Sequence, residues 1–130
     1  MAQPDSSFRL GAIGQIALTI TDRARSVAFY RDKLGMRLLF EAPPNLAFFD
    51  CDGIRLMLSP AEKPGESFRS ILYFRVDDIQ AACEALTARG VEFEHKPARI
   101  AQLETHDLWM AFFRDPDRNV LGLMSEAPRA

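Results

Sequence analysis

The sequence predicts an α+β protein built from two tandem βαβββ units, and three observations predict it. The first is an internal repeat: residues 71–93, ILYFRVDDIQAACEALTARGVEF, restate the order strand, Asp, amphipathic helix, Gly, strand already present in residues 15–40, QIALTITDRARSVAFYRDKLGMRLLF. Gln15 stands where Ile71 stands and Ile20 where Val76 stands, 56 residues on in each case, and Gly35 matches Gly90 at 55. One long repeat seen twice points to a pseudo-symmetric domain and not to a solenoid. The second is Asp52-Gly53 between two apolar runs, a strong short hairpin signal. The third is size: 130 residues with 48% hydrophobic side chains and ten Phe suffice for one core, so one domain over 12–126 is expected.

Each element has its own warrant. Residues 1–11 are polar and Pro/Ser-containing and read as a loose tail, with Phe8 and Leu10 available for docking. The first strand, 13–21, alternates Ile16, Leu18 and Ile20 with Gln15, Ala17 and Thr19. The helix over 23–34 offers Ala24, Val27, Ala28, Phe29, Tyr30 and Leu34 to the core and ends at Gly35. A strand at 36–41, a two-proline turn at 42–45 and the hairpin 46–51/54–58 complete module one, 12–58. Residues 59–70, with Pro60, Pro64 and Gly65, are a linker and a hinge.

Module two, 71–125, opens with a strand at 71–76. Asp77 is the expected cap of the next helix, with Gln80 closing a capping box, and Ile79, Ala82, Cys83 and Leu86 form its apolar face before Arg89-Gly90 end it. A strand at 91–95, a polar passage at 96–107, a strand at 108–114, a turn at 115–119 and a last strand at 120–125 follow, and 127–130 is a tail.

Composition excludes several classes. A net charge of −2 without a basic cluster gives no reason to expect nucleic acid. There is no apolar run of about 18 residues and no signal-peptide pattern, so a cytoplasmic protein without a membrane partner is expected, with Cys51 and Cys83 reduced.

The segment Phe29-Tyr30-Arg31-Asp32-Lys33-Leu34-Gly35-Met36, the opening Val76-Asp77-Asp78 and the turn Asp115-Pro116-Asp117-Arg118-Asn119, in this duplicated order, resemble the vicinal oxygen chelate superfamily of glyoxalases, bleomycin-resistance proteins and extradiol dioxygenases over about residues 12–125. The resemblance implies one curved eight-stranded mixed sheet, helices on its convex side, a ligand cavity on its concave side and a homodimer. In the enzymes of that family a divalent metal is held by His, Gln or Glu from the first and fourth strands of each module. The matching positions here are Gln15, Met57, Ile71 and Gly122, and only Gln15 carries a donor. Two positions to either side change nothing: residues 13–17, 55–59, 69–73 and 120–124 contain no His, Asp, Glu or Cys. The expectation is therefore no metal and no cofactor. Arg118 stands where the family commonly has Gly, which implies a distorted turn.

A strand's period of 2 extends the expected lining from the matched positions to Gln15, Thr19, Arg55, Met57, Ile71, Tyr73, Arg75 and Met124. Apolar Met57, Ile71 and Met124 beside Gln15, Tyr73 and Arg55 suit a small organic ligand. Arg55 or Arg75 is expected to meet an acidic neighbour, water or an anionic group of the ligand. His106 with Glu104 is either an improvised metal or base site or a solvated loop, His95 a solvated edge, Trp109 core or pocket wall, and Cys51 lacks a nearby base. The leading expectation is a metal-independent small-molecule-binding protein. The alternatives are a lyase or dioxygenase whose metal is held by Gln15, Glu104 and His106, and a ligand-free assembly domain whose cavity Met57, Ile71 and Met124 fill.

Overall fold

A computed structural model describes residues 12–61 and 70–128. The docking expected of Phe8 and Leu10 and most of the expected hinge lie outside those residues. The elements run β1 Gln15–Thr19, α1 Arg23–Ala28 continued by a π-helical turn Phe29–Lys33, β2 Arg37–Ala42, β3 Leu46–Cys51, β4 Ile54–Ser59, β5 Leu72–Arg75, α2 Ile79–Ala88, β6 Ala98–Gln102, β7 His106–Arg114 and β8 Val120–Pro128. This is βαβββ twice, as the repeat requires. The eight strands fall into two four-stranded mixed sheets, β1-β4-β3-β2 and β5-β8-β7-β6, with β1 parallel to β4 and β5 parallel to β8.

Local chemistry sets the elements. Asp22, extended at φ −134°, caps α1 by accepting the Arg25 amide at 3.1 Å. The helix then widens, with the Leu34 amide donating to the Phe29 carbonyl five residues back. Val27, Phe29 and Tyr30 are buried, whereas Ala24 and Ala28, expected inside, are exposed. Ser26 takes a buried place because its hydroxyl donates to Asp117. Asp52 (φ 54°) and Gly53 (φ 96°) form the tight turn between β3 and β4, which needs positive φ at both positions.

The expected capping box at Asp77 and Gln80 is displaced by one residue. Asp78 is the cap, extended at φ −121° and accepting the Ala81 amide at 3.0 Å, so the third helical position is Ala81 and no box closes. The strand expected at 91–95 is also corrected. Phe93 makes a single bridge to Phe113, pairing lapses through His95-Lys96-Pro97, where proline has no amide to donate, and it resumes as β6 inside the passage read as polar coil.

The helices cover one face of the sheets. Leu18, Phe49, Leu56 and Leu58 from the first half and Ala111, Phe113, Leu121 and Leu123 from the second share one cluster with Val27, Phe29, Tyr30, Ile79 and Cys83. Trp109 packs against that cluster, which makes it core. The turn 115–119, buried at Asp115 and Asn119, ties the halves together. The Asp115 carboxylate accepts from the Tyr30 hydroxyl (2.8 Å), the Asn119 side-chain amide (2.8 Å) and the backbone amides of Asp117 and Asn119. Asn119 also donates to the Thr19 carbonyl at 3.0 Å, and Asp117 accepts from the Thr21 amide and hydroxyl. Arg118 adopts φ 70°, a left-handed conformation unfavourable for a residue with a Cβ, and its carbonyl accepts from Arg114.

Candidate functional site

The face away from the helices is set by strand alternation. Because Leu18, Leu56 and Phe49 point into the core, their neighbours point out, and the cross-strand rows on that face are Gln15–Arg55–Asp50–Arg37 and Ala17–Met57–Phe48–Phe40. On the second sheet the same argument gives Tyr73–Gly122–Phe112 and Arg75–Met124–Met110.

Aromatic rings dominate both walls. Phe40 stacks on Phe48 with centroids 4.3 Å apart and planes at 21°, and the Arg55 guanidinium lies over the Phe48 ring at 5.5 Å. Tyr73 meets Phe112 edge to face at 5.8 Å. Gly122 lies beneath them: a Cβ there would come within 2.9 Å of Tyr73 Cδ1 and 3.1 Å of Phe112 Cε1, so only a hydrogen leaves room for the two rings. Phe40, Phe48 and Phe112 were not among the expected lining residues. Extending the period of 2 to β2, β3 and β7, and not only to the strands that carry the family's ligands, reaches all three.

Between the sheets a cleft of about 340 Å³ brings together Arg55, Ile71 and Tyr73, with Cys51 and Ile54 beside them. The other expected lining residues are not part of its wall. Gln15 Nε2 points at Met57 Sδ, 3.7 Å away, Arg75 pairs in register with Met124, and Thr19 ends β1 beside the 115–119 turn. Arg55 and Arg75 are exposed, and no ion pair holds either among the described residues. A wider, more open groove of about 1040 Å³ runs along α2, lined by exposed Gln80, Glu84, Thr87, Glu92 and Lys96 and by apolar Val91 and Phe93.

These residues do not fit a divalent metal. At the four matched positions a thioether, a butyl group and a hydrogen offer no hard donor, Gln15 faces the thioether, and two rings fill the space over Gly122. Among the described residues no three His, Cys, Asp or Glu side chains converge. No third such side chain joins Glu104 and His106 among the described residues. His106 opens β7 opposite Pro128, four register positions from the Met110–Met124 pair where β5 ends, roughly 13 Å along the strand, and its Nδ1 lies 2.6 Å from Thr105 Oγ1. His95 is exposed, its Nδ1 2.8 Å from the Lys96 carbonyl. Burial first, then Asp50 and Asp52, push the Cys51 thiol up, and burial does the same for Cys83, so neither is poised as a nucleophile.

The model of the Glyoxalase/Bleomycin resistance protein/Dioxygenase superfamily matches residues 12–123. YraH of Bacillus subtilis (strain 168), an uncharacterized protein, is 31% identical over 121 residues, 82% of this chain and 92% of YraH. Among solved structures, TnmS3, an antibiotic binding protein from Streptomyces sp. CB03234, is 25% identical with a TM-score of 0.70 over 94% of this chain and 99% of its own. The lactoylglutathione lyase of Agrobacterium tumefaciens is 24% identical with a TM-score of 0.72 over 95% and 96%. With its repeat, its two βαβββ units and this match over most of its length, the chain belongs to the Glyoxalase/Bleomycin resistance protein/Dioxygenase superfamily.

Proposed function

We propose that this chain is a small-molecule-binding protein that holds a partly apolar organic ligand without a divalent metal. One observation carries the reading: where metal donors would be needed stand Met57, Ile71 and Gly122, and the space over Gly122 belongs to the Tyr73 and Phe112 rings. Apolar and aromatic walls with a few directed polar groups are the usual make-up of a small-molecule site. The likeness to TnmS3, an antibiotic binding protein, supports the same reading. A cytoplasmic homodimer belongs to it as well. No helix among the described residues is long and apolar enough to cross a membrane, and Leu39 and Ile100 leave apolar surface on the outer strands.

Native mass spectrometry of protein purified without chelator tests the proposal. A mass carrying a small organic adduct and no metal is the expected result, and a stoichiometric metal overturns it. With the adduct identified, Arg55→Ala weakens its binding more than tenfold with little change in melting temperature, because the side chain is exposed and holds no ion pair among the described residues.

A further inference from the structure

Resting on the binding-protein reading, the cleft also specifies a chemical class of ligand. Two groups line it, and among the described residues neither side chain has a hydrogen bond or ion pair. Tyr73 is 44% exposed, yet its ring is fixed from behind, edge to face with Phe112 and seated in the hole left by Gly122. It presents a flat apolar surface whose orientation costs little entropy to hold. Arg55 lines the same cleft with its guanidinium over the Phe48 ring at 5.5 Å, and Phe48 is itself backed by Phe40. A guanidinium laid on a ring keeps its N–H edge free for a planar two-oxygen acceptor. Asp50, opposite Arg55 in register, accepts the Gly53 amide at 3.3 Å and stands between Arg55 and Arg37, one carboxylate to two cations. The cleft's roughly 340 Å³ lies near the lower end of the range for small-molecule sites, which limits the ligand to one or two rings.

We propose that the ligand is a planar aromatic acid of one or two rings, its ring against Tyr73 and its carboxylate on Arg55. The sign of the charge and the flatness are both read from the walls. Arg55 selects the acid, and Tyr73 selects the aromatic plane over a saturated ring of equal size.

Calorimetric titration with naphthoate, naphthalenemethanol and decalin carboxylate separates the two selections. Naphthoate is expected to bind at least tenfold more tightly than either of the others. Arg55→Ala reduces it to the level of the alcohol, and Tyr73→Ala reduces it to that of the saturated acid. Both side chains are largely exposed, so the variants should keep the circular dichroism of the parent and melt only slightly lower, by what the contacts with Phe48 and Phe112 contribute. Naphthoate should also slow alkylation of Cys51, which lines the cleft, and leave Cys83 on α2 unaffected. Equal affinity for naphthoate and the alcohol, or unchanged naphthoate affinity in Arg55→Ala, overturns the proposal. A protein that carries a neutral organic adduct in the mass spectrum but rejects naphthoate loses the acid and keeps the binding function. A stoichiometric metal removes the binding reading itself.

Discussion

Gly122 and Tyr30 show how single atoms decide the chemistry of this chain. Adding one methyl at Gly122 forces the Tyr73 ring, 2.9 Å from the new Cβ, out of its seat. Because that ring is exposed and can swing outward, Gly122→Ala should cost only about 1 kcal/mol in urea unfolding while weakening ligand binding sharply. A large stability loss with intact binding would show that the rings above it are structural. Tyr30 is fully buried, and its hydroxyl donates to Asp115 at 2.8 Å, so Tyr30→Phe should cost about 1–3 kcal/mol at neutral pH. Burial, then the charge of Asp115 and its hydrogen bond, hold the phenol far above its ordinary value of 10.0. The unfolded chain releases that proton near 10.0 and the folded chain does not, so this contribution is complete below 10.0 and is lost as the pH rises above it. Stability of the parent should fall in that alkaline range, and the part of the fall due to this group should vanish in Tyr30→Phe.

At the scale of elements, sequence reasoning placed most strands and both helix starts to within a residue or two and missed where competing signals met. Asp77 is the cap that the sequence leads one to expect for α2, and the backbone places the cap one residue on, at Asp78. Asp78→Ala should therefore cost about 1 kcal/mol in thermal unfolding and Asp77→Ala close to nothing; the reverse order would restore the capping box. β6 was hidden because 98–102, ARIAQ, lacks clean alternation. Its pairing with β7 slips between Arg99 and Ala101, so Ile100 is put out to solvent at 53% exposure. β2 carries the equivalent irregularity, with Leu39 as the extra residue at 36%. Both outer strands thus bend at an exposed apolar side chain, a form that discourages open-ended strand pairing while leaving apolar surface for a defined contact. The aromatic walls were legible in principle, since Phe40, Phe48 and Phe112 obey the same period of 2. They fall outside the expected lining because that lining starts from the strands that hold metal in the family's enzymes, and β2, β3 and β7 are not among those strands.

For the whole molecule, the two halves are alike in order and unlike where they meet. The turn 115–119 closes on Tyr30 through Asp115 and on the end of β1 through Asp117 and Asn119, whereas at the corresponding Asp52-Gly53 turn the Gly53 amide goes to the nearby Asp50 and the cleft opens beside Cys51, Ile54 and Arg55. A repeat that is locked on one side and open on the other makes one cleft from two similar units. Association of two copies is expected to use the apolar side chains of the outer strands. Leu39→Lys with Ile100→Lys should convert a dimer of the parent into a monomer in native mass spectra, and a monomeric parent would dismiss the idea.

By itself the sequence determined the α+β class, the doubled βαβββ order, the tight turn at Asp52-Gly53 and the loss of metal donors at Met57, Ile71 and Gly122. These depend on local propensity, on periodicity and on side-chain identity, all of which are written along the chain. Only the tertiary structure decided that Asp115 is satisfied by Tyr30 85 residues away, that Arg55 rests on Phe48, and that Arg55 and Tyr73 share a cleft while Gln15 and Arg75 do not. Those facts depend on how two sheets approach across a shared core. That approach is fixed by packing and by buried hydrogen bonds between residues remote in sequence, for which no local pattern is a sign.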